Sequence, residues 1–373
     1  MPFAHITGWG VAIPEKVLTN DDIAQMVDTN DEWIQSRTGI KERRIAGAQE
    51  STASLAVEAS FNALEVANIN PAEVDLIIVS TSSPEHIFPA TAALVQDSIG
   101  AVRAGAFDLS AACTGFIYAL NMSAQAIRTG SIKTALVIGS ETLSRFTNWE
   151  DRNTCILFGD GAGAFVLQAS DKPGGVLSAV MRADGSGGDL LSVPAGGSKI
   201  PTSDQTVRDG LHYMQMNGRE VFRFATRVMA QATREAANLA GFKLDTLDWI
   251  VPHQANQRII ATAARNLKMP LEQFVINVER YGNTSTASIP LATVEAIEDD
   301  RIKSGDKIIF VGFGAGLTWG ALGVEWTGPL AEGEAPLVWP YRFERLYGVY
   351  ARVRSRILRV IRYIEGLIWG RSR

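Results

Sequence analysis

Two stretches of this chain repeat each other's design about 173 residues apart, and that repetition restricts the fold more than any other feature. Leu247-Asp248-Trp249-Ile250-Val251-Pro252 echoes Val74-Asp75-Leu76-Ile77-Ile78-Val79 at an offset of 173 residues. Asp306-Lys307-Ile308-Ile309-Phe310-Val311-Gly312 echoes Lys133-Thr134-Ala135-Leu136-Val137-Ile138-Gly139, with Lys133 to Lys307 an offset of 174. Each is a short, nearly continuous apolar run, which suits a strand covered on both faces. Asn283, in the turn after Ile276-Asn277-Val278, falls 170 residues beyond Cys113. Three offsets so alike predict a duplicated α/β unit whose halves share one topology. The turns bearing Cys113 and Asn283 then correspond, and groups from both halves can meet at their interface. A chain of 373 residues is long enough for such a pair. Pro173-Gly174-Gly175 marks the seam, so the halves are expected to span residues 1–173 and 174–327.

The stretch Phe107-Asp108-Leu109-Ser110-Ala111-Ala112-Cys113-Thr114-Gly115-Phe116 carries the first chemistry. A strand-like run enters it, small residues crowd the turn, and Gly115 to Leu120 leaves with helical periodicity. Cys113 therefore sits where a strand hands over to a helix. Unpaired N–H groups and the positive end of the helix dipole favour thiolate there. The alternative is a buried cysteine packed as a small hydrophobe. Later turns weigh against that alternative. In Val251-Pro252-His253-Gln254-Ala255-Asn256 a histidine directly follows a buried strand, at the edge where α/β folds gather ligands. In Arg280-Tyr281-Gly282-Asn283-Thr284-Ser285 a polar turn precedes an apolar helix, readable by itself as a simple cap. Gly312-Phe313-Gly314-Ala315-Gly316 follows another buried strand, and glycines there let backbone N–H groups approach a ligand. Gly159-Asp160-Gly161-Ala162-Gly163 lacks a strand–turn–helix setting and reads as a packed turn. No Cys/His spacing suggests a metal.

With these motifs in place, residues 1–327 resemble β-ketoacyl-acyl-carrier-protein synthase III, the initiating condensing enzyme of bacterial fatty-acid synthesis in the thiolase-like superfamily. The likeness rests on DLSAACTGF around Cys113, VPHQAN around His253, YGNTS around Asn283 and GFGAGLTWG around Ala315. Trp33, Arg37, DGAGA and MNGREVF agree with it. It implies a five-layered αβαβα fold, a homodimer and a Cys113–His253–Asn283 constellation. The implied reaction is a decarboxylative condensation in two halves. Cys113 accepts the acyl group of an acyl-CoA as a thioester, and His253 and Asn283 then hold the enolate formed as malonyl-acyl-carrier protein loses CO₂. The N–H groups of Cys113 and Ala315 are implied to take the acyl thioester oxygen. The family often has glycine at the position of Ala315, and alanine tolerates positive φ poorly.

Substrate contacts follow by the same resemblance. Trp33 is implied to stack on the CoA adenine with Arg152 on the ring's other face, Arg37 and Thr38 to sit at the mouth, and Gly218 and Asn256 to meet the pantetheine arm. Phe313 would guard Cys113 from water. Leu143, Ile156 and Leu157 would shape the acyl pocket, and Phe88 would cross the dimer interface to close the partner's. Arg223, Arg258 and Arg265 suit an acidic carrier protein. No bound cofactor is expected, because the CoA thioester is a substrate. One rival is a Cys-dependent acyltransferase or condensing enzyme of a natural-product pathway. Another, from a different class, is a non-catalytic membrane-associated scaffold, against which the joint presence of Cys113, His253 and Asn283 argues.

The resemblance ends before the C-terminus, where the charge changes sign. The whole chain has a net charge of −5, yet residues 329–373 hold nine Arg and four Glu, which leaves the preceding body at −10. So acidic a body speaks against nucleic-acid binding. Residues 328–340 read as a linker rich in Pro, Gly and Glu. Across residues 341–373, apolar residues such as Tyr350, Val353, Ile357, Val360, Ile361 and Ile364 recur at helical spacing with Arg elsewhere around the wheel. Such a basic amphipathic helix suits an anionic membrane surface, with Trp369 as interfacial anchor, or the acidic carrier protein, or the body of the protein itself. Two cysteines are too few for a disulfide framework, and neither a signal peptide nor a spanning run is apparent. The expectation is a cytoplasmic protein that the tail can hold at the inner membrane face.

Overall fold

The computed structural model describes residues 1–329, 349–350, 353–361 and 364. Most of the expected linker and much of the expected tail helix, Trp369 included, lie outside the described residues. Two mixed sheets organise the chain. The first contains β1 (Phe3–Ala12), β2 (Leu76–Ser80), β3 (Gly105–Leu109), β4 (Thr134–Glu141) and β5 (Gly161–Ser170), in the order β1-β5-β4-β2-β3. The second contains β6 (Gly175–Ala183), β7 (Trp249–Pro252), β8 (Lys307–Gly314) and β9 (Thr318–Glu325), in the order β7-β8-β9-β6. Both sheets follow one plan. An antiparallel edge strand, β1 or β6, joins an antiparallel neighbour, and the strands beyond run parallel. Where a counterpart of β3 would lie, the second sheet keeps one parallel bridge between Ile250 and Phe274. The runs that echo each other in sequence are thus β2 with β7 and β4 with β8.

Those runs are apolar because both faces of each sheet are covered; all eight residues of β4 are buried. Helices α1 (Thr52–Ala67) and α2 (Thr91–Ile99) cover the outer face of the first sheet. Helices α3 (Gly115–Arg128) and α6 (Ser288–Glu298) lie between the sheets, and α4 (Gly218–Leu239) with α5 (Gln257–Leu267) covers the second. The result is five layers, αβαβα. Local signals set the helix ends: Ser51 caps α1 through a capping box, and Asn68 ends it in the left-handed region. In the central layer Phe116 of α3 meets Phe165 of β5 edge-on at 5.2 Å, and Phe165 lies 6.1 Å from Phe310 of β8. All three are fully buried, so each contributes about 1.5–3 kcal/mol of apolar burial to the join between the halves.

Among the described residues no helix is long and apolar enough to cross a membrane. Residues 353–361 are helical and meet α2 at Ser355. Ser355 is buried there and donates to the Asp97 carboxylate at 2.7 Å, while Arg359 donates to the Ser355 hydroxyl at 3.0 Å. Val353, Ile357, Val360 and Ile361 are all exposed. The body therefore meets this helix at Ser355, and these four apolar side chains stand in solvent.

The halves touch at Gly139 of β4, where a Cβ would come 2.2 Å from the Thr286 carbonyl oxygen. Gly139→Ala is therefore expected to destabilise the fold by about 1–3 kcal/mol. Urea unfolding checks this, and an unchanged midpoint contradicts the close approach.

Candidate active site

Strand β3 ends at Leu109, and a short 3-10 turn, Ala112–Thr114, leads into α3. Ala112 sits at φ +47, a left-handed conformation that disfavours bulky side chains and suits the small residues of this turn. Cys113 follows and is buried at 7% exposure. The loop after β8 approaches its amide because residue 314 is glycine: a Cβ there would lie 2.7 Å from the Cys113 nitrogen. Ala315 keeps a φ outside the left-handed region, and Gly316, at φ +134, takes that conformation instead. Alanine at 315 is thus compatible with the loop.

His253 follows β7 and donates its backbone N–H to the Val311 carbonyl at 2.8 Å. Its Nδ1 meets the Ser288 hydroxyl at 2.7 Å, and its ring stands edge-on to Phe313 at 5.3 Å. Nε2 is the nitrogen left for the cavity. Burial pushes the His253 pKa down to about 3, so the imidazole is neutral near pH 7. Asn283 is fixed by its backbone, which pairs with Leu157 and Gly159. Its Oδ1 accepts the Ser285 N–H at 2.9 Å, leaving the amide N–H₂ to donate elsewhere.

Cys113, His253 and Asn283 line one cavity of about 610 Å³. Trp33, Arg37, Thr38, Ile156, Leu157, Gly218, Asn256, Arg258, Phe313 and Ala315 border it too. A second cavity of about 240 Å³ opens beside Cys113 and Ala315 under Leu143, Phe158 and Met214. The residues expected to shape one acyl pocket are therefore divided, with Leu143 on the smaller cavity and Ile156 and Leu157 on the larger. Phe88 borders neither; it is 85% exposed on the loop before α2.

Several contacts refine the sequence expectations. Arg152 already lies 4.0 Å over the Trp33 ring, so an adenine must part the pair to stack between them. The Thr38 hydroxyl donates to the Ile34 carbonyl at 2.7 Å, so its role at the mouth is one of shape. The Asn256 amide is occupied at both ends, by the Arg37 carbonyl at 2.9 Å and by the Arg258 N–H at 2.9 Å. Arg258 stacks on Phe222 at the rim, whereas Arg223 pairs with Glu220 at 3.4 Å and Arg265 with the Thr262 hydroxyl at 2.8 Å, neither bordering the cavity. Among the described residues no group of three His, Cys, Asp or Glu could hold a metal ion.

Burial opposes the expected thiolate. Burial pushes the Cys113 thiol up to about 12; contact with Ser285 lowers it only in part, and the Glu141 charge raises it further. Loss of hydration, with no cation among the groups that act on the thiol, outweighs the partial charge of a helix end. Glu141, Ser285 and Ser288 were not singled out from sequence as site residues. A carboxylate ending the apolar run of β4 was the available signal, since a charge at the end of a buried strand needs partners.

A buried thiol at a strand–helix turn, sharing a cavity with a neutral imidazole and an oriented amide between two like halves, defines a condensing enzyme of the thiolase-like class. Family models match in both halves: 3-oxoacyl-[acyl-carrier-protein] synthase III over residues 107–185, and its C-terminal part over residues 237–326. The β-ketoacyl-[acyl-carrier-protein] synthase III of Symbiobacterium thermophilum is 53% identical over 321 residues, covering 86% of this chain and 97% of that relative. The protein of the same name from Roseiflexus sp. (strain RS-1) is 50% identical over 325 residues, covering 87% and 99%. The crystal structure of 3-oxoacyl-[acyl-carrier-protein] synthase III from Aquifex aeolicus VF5 superposes with a TM-score of 0.80 at 46% identity, covering 87% of this chain and 100% of that one. The chain belongs to the β-ketoacyl-acyl-carrier-protein synthase III family of acyltransferases.

A thiol with a pKa near 12 gains thiolate tenfold per pH unit. The rate of Cys113 alkylation by iodoacetamide in the substrate-free enzyme should therefore still be climbing between pH 9 and 10. A plateau below pH 8 would show a thiolate already formed.

Proposed function

We propose that this chain joins an acyl-CoA starter to malonyl-acyl-carrier protein, giving 3-oxoacyl-carrier protein, CoA and CO₂, the initiating step of fatty-acid synthesis. The observation that carries the proposal is the meeting of Cys113, His253 and Asn283 on one cavity, with the amide oriented by the Ser285 N–H and the imidazole neutral. The Cys113 sulfur attacks the acyl-CoA carbonyl, and the N–H groups of Cys113 and Ala315 receive the oxygen. The acyl chain then lies in the smaller cavity beside Leu143. Malonyl-carrier protein follows. Its thioester oxygen takes hydrogen bonds from His253 Nε2–H and the Asn283 amide, which strengthen as CO₂ leaves and enolate charge develops there. The enolate carbon attacks the acyl-Cys113 carbonyl, and the sulfur is released. A neutral His253 suits this role, since it donates an N–H without needing to stay charged in a dry site.

Trp33, Arg152 and Arg37 fit the adenine and phosphates of CoA, and Gly218 and Asn256 shape the path of the pantetheine arm. Arg258, with Arg223 and Arg265 on the same face, fits an acidic carrier protein. A homodimer accounts for the exposed Ile87 and Phe88 near the open β3 edge, with Phe88 reaching the partner's pocket. The reaction requires no bound cofactor. The expected setting is the cytoplasm.

The tail supports a position at an anionic membrane. Val353, Ile357, Val360 and Ile361 are exposed on a helix that meets the body at Ser355, in a segment carrying nine Arg.

Mass measurement after incubation with acetyl-, isobutyryl- and octanoyl-CoA should show one acyl group per chain, absent from Cys113→Ala. Asn283→Ala should keep the adduct yet release CO₂ from malonyl-carrier protein about 10²–10³-fold more slowly. An adduct without any CO₂ release in the unaltered enzyme would favour a plain acyltransferase. For the tail, deleting residues 341–373 should abolish sedimentation with anionic vesicles, and unchanged sedimentation would exclude the membrane role.

A further inference from the structure

Two buried groups beside the nucleophile have no part in the steps above. Glu141 closes β4 with its side chain wholly out of solvent. Its carboxylate accepts the Ser82 N–H at 3.0 Å and the Ser83 hydroxyl at 2.6 Å from the first half, and the Thr286 hydroxyl at 2.9 Å from the second. None of the groups that set its protonation is a cation. Ser285 stands in the turn after Asn283 at φ +47, a conformation that a serine adopts only when its surroundings impose it. Its hydroxyl is buried and has no hydrogen-bond partner among the described residues. It borders the smaller cavity together with Cys113, and the next residue, Thr286, bonds the Glu141 carboxylate, so the Ser285 hydroxyl lies between the nucleophile and that carboxylate.

The nucleophile needs a proton acceptor, and His253 is poorly suited. Burial pushes its pKa down to about 3, and the condensation step uses its Nε2–H as a donor. Burial has the opposite effect on Glu141, raising its affinity for a proton. A hydroxyl is at once donor and acceptor, so Ser285 can take a proton from one side as it gives its own to the other.

We propose that Glu141, acting through the Ser285 hydroxyl, removes the Cys113 proton during acylation and stores it until condensation releases the sulfur. The Cys113 S–H bond breaks as a new Ser285 O–H bond forms, and the original Ser285 proton moves to a Glu141 oxygen. The sulfur then bonds to the acyl carbon, and the carbon–sulfur bond to CoA breaks. The departing CoA thiolate takes a proton from water at the open mouth. When the enolate displaces the Cys113 sulfur, the Glu141 proton returns through Ser285, restoring thiol and carboxylate. The sum consumes one solvent proton per turnover, as loss of neutral CO₂ from a malonyl carboxylate requires. Stored in this way, the proton also leaves Glu141 uncharged while the malonyl carboxylate is in the site.

The proposal rests on Cys113 being the acyl acceptor. The titratable groups concerned are Cys113, Glu141 and His253. Arg37, Arg219 and Arg258 border the larger cavity that Cys113 and His253 line. The segments packed on Glu141, namely residues 81–83 and the turn at Ser285–Ala287, bring hydroxyl and amide groups alone.

The test is stopped-flow acylation of the full-length enzyme by acetyl-CoA from pH 6 to 10, with Ser285→Ala, Ser285→Thr and Glu141→Gln. Ser285→Ala and Glu141→Gln should acylate at least tenfold more slowly at pH 7, with the deficit narrowing toward pH 10 as hydroxide replaces the relay. Ser285→Thr, which keeps a hydroxyl, should recover most of the rate. Should Glu141→Gln fail to fold, Ser285→Ala decides alone, because the protein groups bonded to Glu141 remain. A Ser285→Ala enzyme with the unaltered rate and pH profile overturns the relay. Absence of any adduct in the unaltered enzyme would instead overturn the condensing reading on which the relay depends.

Discussion

The site exists because two halves of the chain meet backbone to backbone. At Gly139 a β-carbon would stand 2.2 Å from the Thr286 carbonyl, and at Gly314 one would stand 2.7 Å from the Cys113 nitrogen. Those missing side chains let the turn after Asn283 and the loop after β8 close on the nucleophile. Their separation is set further out by the edge-on and tilted ring contacts of Phe116, Phe165 and Phe310. Packing at native density leaves little slack, so the geometry of the site depends on this seam.

Once the seam is closed, desolvation governs the chemistry. Cys113 and His253 line the same cavity with both side chains buried, and burial moves their pKa values in opposite senses, one up to about 12 and the other down to about 3. Both shifts favour the neutral form. An uncharged site suits a reaction whose charge appears late, on an enolate oxygen, because fixed N–H dipoles can meet that charge without being held by ions beforehand. The same desolvation makes the nucleophile hard to ionise, which gives the buried Glu141 and the unpaired Ser285 hydroxyl their significance.

The C-terminal helix adds an element outside this economy of halves. Its described part meets the body at the Ser355–Asp97 hydrogen bond, and it turns aliphatic side chains outward from a body of opposite charge. The C-terminal family match ends at residue 326, so this feature belongs to the chain and not to the matched family region.

Much of the fold and the principal residues were legible in the amino-acid order. The apolar runs of β2, β4, β7 and β8 and the cap at Ser51 are local signals, because periodicity and capping act within a few residues. Cys113, His253 and Asn283 stood out through the types of residue around them. Protonation and orientation were decided only by tertiary structure, since both depend on partners distant in sequence. Ser288 lies 35 residues from the His253 ring it meets, and Thr286 lies 145 residues from Glu141. The expected thiolate at Cys113 shows the limit plainly: the helix end that favours it is written in the local sequence. The burial that overrules it is created only when the second half closes over the first.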